Sequence, residues 1–346
     1  MEKNIYIKET KENFSLKDIK SVLDKFKDLD VLVIGDVIID IYTFVHPKGR
    51  AIKDPILSTG FVKEEKYAGG ILAICNHLSS YVSKIKLVTI LGDKPPFSEF
   101  VKKSIAKNVE LKTFLKKNSP TNIKKRYVDY YRNNKLFKVE YINDDPIDRQ
   151  LAQQIKDYIA SEAKKHDLVI VGDFGHGFLN DELRKTLEKN SKFLSINVQS
   201  NSSNMGYNYV NHYKRPDYII MNEEEIRLPM MQRFEDINEV IKKFNRKFKY
   251  KKYMVTTGKK GAVYFHDGEM HKAPALARNV IDTIGAGDAV FAISSLLAFA
   301  DIDHNLLPFI ANCAGAVKSE YMGNKESVSK EKLLNFIKEL YENGME

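Results

Sequence analysis

The run Asp282-Thr283-Ile284-Gly285-Ala286-Gly287-Asp288, leading straight into the apolar stretch from Ala289 to Ala300, concentrates the residue types that could do chemistry. Its glycines permit a tight turn that brings backbone N–H groups close to an anion. A helix starting there adds unpaired first-turn donors and partial positive charge. Such a helix start suits a phosphate. Asp288 follows the Gly-Ala-Gly turn, where a capping carboxylate would compete with the anion that the turn attracts. A carboxylate in that place fits a base that takes the proton of an alcohol attacking a phosphoryl group. The plainer alternative is a Gly-rich turn capped by Asp282 or Thr283. The small-residue helix that follows favours the chemical reading.

Residues of this kind need a rigid platform, and the rest of the chain reads as one. Ser15 to Leu29 has Leu16, Ile19, Leu23 and Phe26 on one helical face, opened by Ser15 and Asp18 as a capping-box-like pair. Val31 to Ile34 is then wholly apolar, as a strand buried on both faces of a parallel sheet must be. Similar runs recur at Lys86 to Leu91, Leu168 to Val171, Phe193 to Val198, Tyr218 to Met221 and Tyr253 to Thr257, with helix-like segments between them. This alternation predicts an α/β fold with a doubly wound, mainly parallel sheet and helices on both faces. Residues 41–67 and 122–142 break the pattern with β-branched and aromatic content lacking helical spacing, which suits strands of a small separate sheet. With 346 residues and no Pro/Gly/Ser-rich linker, the expected organisation is a helical extension over 1–30, one large domain over 31–335 and a tail over 336–346.

Asp282 to Asp288 resembles the C-terminal signature of the ribokinase-like (PfkB) carbohydrate kinases, and other motifs follow in that family's order from about Val31 to about Lys325. The resemblance implies ATP and magnesium as cofactors, Asp288 as catalytic base, and the amides of Gly285, Ala286 and Gly287 as an anion hole. It implies an antiparallel β lid over 41–67 and 122–142. Asn222 and Glu225 match an Asn-x-x-Glu that organises magnesium through water, although an acidic first helical turn accounts for them too. Thr257, Gly258 and Gly261 match a turn near the ribose and phosphates, with an ordinary hairpin turn as the alternative. Asn312 falls where relatives place a residue near adenine; an interior polar residue of a helix accounts for it equally well. In relatives a monovalent cation is common near the position of Asp282.

On the sugar side, Asp36 and Asp40 follow the first strand and match acidic positions of the family. Gly69 and Gly70 resemble its di-glycine element. The Asn that usually follows falls on Ala73, with Asn76 one turn further on. Within the family, Pro120 to Tyr127 and Gly172 to Gly177 resemble the bacterial heptose-phosphate kinase branch. His176 stands where Lys is common, and Asn197-Val198-Gln199 replaces Asp-Pro-Lys; the sequence offers His176 no triad partner. Lys124 and Arg126 would share one face of a strand returning from the lid toward the sugar, where a sugar's own phosphate would suit them. The implied activity is transfer of the γ-phosphoryl group to a hydroxyl of a sugar or sugar phosphate. The alternatives are a ribokinase-like or nucleoside kinase for an unphosphorylated substrate, and a non-catalytic sugar- or nucleotide-binding relative. No counterpart of the nucleotidyltransferase domain fused to some relatives is expected.

The formal charge of +9 raises nucleic acid as a partner, above all at Lys242 to Lys252. There, however, Ile237, Ile241, Phe244 and Phe248 fall at helical spacing, which turns the aromatics inward and the lysines to solvent. Neither a nucleic acid nor a membrane partner is therefore expected. The two cysteines, Cys75 and Cys313, lie in apolar stretches without metal-ligand spacing, and the charged start is unlike a signal peptide. A cytoplasmic location follows as the expectation. A small projecting sheet leaves edges and an apolar face to cover, which predicts a homodimer paired through the lid.

Overall fold

The computed structural model describes residues 2–95 and 97–345; Met1 and Glu346, the outermost residues of the expected extension and tail, lie outside the described residues. Among the described residues the first half of the chain forms α1 (Glu2–Asn13), α2 (Leu16–Asp24), β1 (Asp30–Gly35), β2 (Val37–Arg50), β3 (Leu57–Gly70), α3 (Ile71–Leu78), β4 (Lys84–Gly92), α4 (Ser98–Ser104), β5 (Val109–Lys116), β6 (Ile123–Asp129) and β7 (Lys135–Tyr141). The second half adds α5 (Arg149–Glu162), β8 (Leu168–Asp173), α6 (Asp181–Asn190), β9 (Leu194–Val198), β10 (Tyr218–Asn222), α7 (Glu223–Met230), α8 (Ile237–Phe248), β11 (Lys252–Thr256), β12 (Ala262–His266), β13 (Glu269–Ala273), α9 (Ala286–Phe299), α10 (Leu306–Ser319) and α11 (Lys330–Asn343).

Nine strands join in the order β13-β12-β11-β10-β9-β8-β1-β4-β5. The seven from β11 to β5 run parallel, while β12 and β13 close one side as antiparallel strands. The apolar β1 explains the layering. Successive side chains of a strand point to opposite faces. Val31 and Val33 accordingly enter one core with residues of α3, α9 and α10, and Leu32 and Ile34 enter the other with residues of α5, α6 and α8. Helices cover both faces, as the sequence predicts.

The Ser15–Asp18 capping box is present at the start of α2, which ends at Asp24 rather than Leu29. Phe244 is fully buried in α8, with Lys242 and Lys243 ion-paired to Glu239 and Glu235 near the surface, so the interleaved bases and aromatics are an amphipathic helix. The expected tail is corrected: residues 330–343 are helical, and Leu333, Phe336, Ile337 and Leu340 are buried at helical spacing. The extension docks on this same helix, with Lys11 Nζ donating to the carbonyl of Tyr341 at 2.8 Å.

The lid is a second sheet in the order β3-β2-β6-β7. It consists of two antiparallel ribbons, β2–β3 and β6–β7, joined by a parallel β2–β6 pairing. Because β6 follows β2 in direction, it runs outward from the body and not back toward it, which corrects the expected course of Lys124 to Arg126. Tyr42, Phe44 and Val128 form the lid's own small core, packed against Ile284 and Met322 of the body.

Candidate active site

The parallel strands deliver their carboxyl ends to one edge, and α9 begins at that edge with its N-terminus inward. There a cavity of about 270 Å³ is lined by Asp40, Lys124 and Arg126 from the lid side and by Asn222, Glu225 and Asp288 from the body. Gly70, Gly285 and Gly287 also line it.

Asp288 lies in the first turn of α9 and is buried. Burial is the main force on its carboxyl and pushes the pKa up to about 7, opposed by a hydrogen bond from Gln199 and raised further by Asp40. Gln199 Nε2 donates to Asp288 Oδ1 at 3.0 Å and to Asn197 Oδ1 at 2.8 Å. Gln199 was visible in the sequence only as a departure from Asp-Pro-Lys; in space it orients the candidate base.

The turn before α9 is not side-chain capped. Gly285 has φ 82°, and a Cβ there would fall 2.2 Å from Asn324 Oδ1, so both backbone conformation and space require glycine. The expectation for Ala286 is corrected: its N–H donates to the Thr283 carbonyl at 3.2 Å, and it is not among the cavity-lining residues. The tight turn that starts the helix uses that donor. Lys318, fully buried near the end of α10, donates to the Ile284 carbonyl at 2.8 Å and so braces the loop. A lysine closing an otherwise apolar helical run is the sequence signal that could have identified it.

Asp282 anchors the same loop. Its carboxylate accepts from Gly323 N (2.9 Å), Ile284 N (3.1 Å) and Tyr42 Oη (3.1 Å), and it pairs with Lys135 Nζ at 2.7 Å. These contacts hold its pKa below the usual carboxylate value against the burial that would raise it. A lysine ammonium from the lid thus stands beside the carboxylate where the resemblance implied a monovalent cation.

On the lid side, alternation along β6 holds: Lys124 and Arg126 line the cavity, while Lys125 turns away to Glu64 at 2.8 Å. Arg126 pairs with Asp40. Gly69 lies on the neighbouring strand, where a Cβ would stand 2.1 Å from Asp40 Oδ2. Close approach by this carboxylate is therefore one physical need the di-glycine element meets. Asp36 is not on the cavity wall; it is buried, and burial followed by the charge of Asp173 pushes its pKa up to about 7, opposed by the backbone N–H groups of His176 and Phe174. Asn76 does not replace the missing Asn, because its amide is engaged with Ser104 O and Ala106 N. His176 does have a carboxylate partner, Asp144, 2.8 Å from Nδ1, and its Nε2 is buried without one.

On the body side, Asn222 and Glu225 form a reciprocal capping box on α7, and Glu225 also accepts from Ser200 N. Glu225 is buried, which pushes its pKa up to about 7, with the charges of Asp288 and Glu224 adding to the rise. Thr257, Gly258 and Gly261 form a self-closed turn between β11 and β12, and Thr257 Oγ1 donates to the Gly261 carbonyl. Asn312 donates to the carbonyls of Ala273 and Pro274. None of these four lines the cavity, although the adjoining Thr256 does.

Known proteins share this architecture. The model of the pfkB family carbohydrate kinases matches residues 28–329. The bifunctional protein HldE of Helicobacter pylori strain G27 is 25% identical over 302 residues, covering 85% of this chain but only 63% of that protein. HldE of a Nitratiruptor species is 24% identical over 326 residues, covering 90% and 68%. Among solved structures, Escherichia coli phosphofructokinase-2 in complex with potassium superposes with a TM-score of 0.71 at 12% identity, over 91% of this chain and 99% of that one. Arabidopsis thaliana ribokinase complexed with ribose and ATP gives 0.66 at 17%, over 90% and 99%. At these identities the structural matches show the fold.

Proposed function

The chain belongs to the pfkB family of carbohydrate kinases, phosphotransferases with an alcohol group as acceptor, and from that premise we propose that it moves the γ-phosphoryl group of ATP onto a hydroxyl of a sugar or sugar phosphate. The observation that carries the reading is Asp288, a buried carboxyl with a pKa of about 7 at the start of a helix and facing a cavity with cations on its far wall. A base of that strength is matched to its task near neutral pH. Asp288 accepts the proton as the sugar oxygen forms its bond to phosphorus and the bond to the leaving ADP oxygen breaks. The loop at Gly285 and Gly287 turns its backbone to the transferring group. Thr257, Gly258, Gly261 and Asn312 would border the nucleotide beyond Thr256.

Magnesium fits the donor set. The charge of Asp288 adds to the rise at Glu225, and burial raises both carboxyls, so a divalent cation between ATP and this wall would relieve both, with Asn222 and Glu225 acting through water. Magnesium supplies charge neutralisation at the phosphates. Glu225→Gln is expected to shift the dependence of rate on magnesium to higher concentration while leaving the melting temperature nearly unchanged. Wild-type activity at every magnesium level would remove Glu225 from this role.

The sugar end favours an acceptor that already carries phosphate, because Lys124 and Arg126 bring half-buried positive charge to the cavity wall. The chain spans 63% of the length of the H. pylori HldE relative. A coupled ADP-release screen across free and phosphorylated sugars tests the function; no ADP release above background with any of them would favour the binding-protein alternative. Pairing through the lids remains part of the proposal. Phe61, Phe137 and Tyr141 of the lid are exposed, and Phe61 lies on its edge strand β3. Sedimentation at working concentration is expected to give a dimer, and Phe61→Glu a monomer; a wild-type monomer would defeat the pairing.

A further inference from the structure

Three of the chain's eight histidines meet on the side of the sheet remote from Asp288. The register of β11 with β12 sets Thr256, which borders the cavity, opposite Ala262, and Lys252 opposite His266. His266 therefore lies at the far end of these strands. Asp301 and His304 lie just beyond the C-terminus of α9, whose N-terminus carries Asp288, roughly 20 Å away along the helix at 1.5 Å per residue. On the β12–β13 hairpin, Tyr264 opposes His271 and His266 opposes Glu269, so both histidines share one face.

The geometry is that of a ligand set. His266 Nδ1 stands 3.1 Å from His304 Nδ1, and the ring centroids are 3.8 Å apart. Asp301 Oδ1 is 4.0 Å from His266 Nε2, and one donor atom from each of His266, Asp301 and His304 falls within 4.8 Å of the others. His271 Nδ1 meets Asn305 Oδ1 at 2.9 Å, which pins the turn carrying His304 to the hairpin. Its Nε2 makes no hydrogen bond, with Glu269 Oε2 3.8 Å away, and its ring lies 5.3 Å from that of His304. Two imidazoles and a carboxylate with water in the fourth position suit a divalent transition ion of the zinc class, unlike the all-oxygen surroundings that suit magnesium. One group competes: Lys252 Nζ is 2.6 Å from Asp301 Oδ1. Asp301 is largely exposed and can turn, so the ammonium weakens the site without blocking it.

We propose that His266, Asp301 and His304 bind a zinc-class divalent ion that clasps the β12–β13 hairpin to the turn between α9 and α10, independently of the chemistry at Asp288. The test titrates the full, chelator-stripped chain with Zn2+ against a chromophoric chelator, and with Co2+ while recording visible absorption. One equivalent of Zn2+ should bind, Co2+ should give the visible band of an imidazole-ligated ion, and Zn2+ should raise the melting temperature. His266→Ala and His304→Ala should each weaken binding at least about tenfold, and Lys252→Ala should tighten it, all with unchanged ADP release at the sugar site. Zinc uptake by wild type no greater than by the doubly substituted H266A/H304A chain, or wild type lacking the cobalt band, would overturn the proposal.

Discussion

Asp288→Asn is expected to lower kcat by at least about a hundredfold, the scale of a positioned general base, while ATP affinity stays within a few-fold of wild type. Asn preserves the shape of the side chain and can still accept from Gln199, which sits 3.0 Å away, so the turn and the α9 start survive. Only the proton acceptor is removed. The pH profile carries a second readout of the same group. A carboxyl raised to about 7 is mostly protonated below that pH and cannot act as base, so kcat/KM should climb about tenfold per unit on the acid side and level off above about 7. Glu225 is raised to a similar value, and the two are separable: Glu225→Gln should keep the acid limb if Asp288 produces it. Near-normal turnover by the Asn variant with the substrate identified by the sugar screen would end the assignment of Asp288.

The second large effect is expected at Arg126. Its guanidinium pairs with the buried Asp40 and faces the sugar end of the cavity, so Arg126→Ala removes an anion contact and leaves a carboxylate uncompensated. Losing one member of a buried charge pair typically costs about 2–5 kcal/mol, which is on the order of 30- to 5,000-fold in kcat/KM. The loss should be larger for a phosphorylated sugar than for its unphosphorylated parent. Equal losses on both would make Arg126 a support for Asp40 alone. A wild type with no preference for the phosphorylated compound would favour the simple sugar kinase. Circular dichroism and a melting curve on the variant separate these outcomes from unfolding.

Local signals made the layered sheet legible before the structure. The apolar run Val31 to Ile34 could only be satisfied on two faces, and its residues divide between two cores. The turn at Gly285 and the start of α9 were equally readable because a tight turn before a helix is a local event. What escaped depends on long-range closure. Asp144 meets His176 across a loop, Lys318 reaches the Ile284 carbonyl from another helix, and Gln199 meets Asp288 from a separate strand, none at a spacing that marks the partnership. The direction of β6 escaped for the same reason: strand content is written locally, whereas parallel or antiparallel pairing is decided by the partner. Ala286 shows the limit of a motif, since its N–H belongs to the turn that the motif builds.

Lys135 belongs to the lid ribbon and Asp282 to the loop that launches α9, yet their 2.7 Å contact and the Tyr42 hydroxyl tie the two together at a carboxylate with no solvent exposure of its own. The lid is thereby interlocked with the loop that launches α9. Swinging it away would strip Asp282 of its cation and one hydroxyl donor while leaving the charge inside the protein, a penalty that grows with every ångström of opening until water or another cation arrives. Lid position and loop charge are consequently one variable: whatever holds the lid in place also holds the turn that carries Asp288.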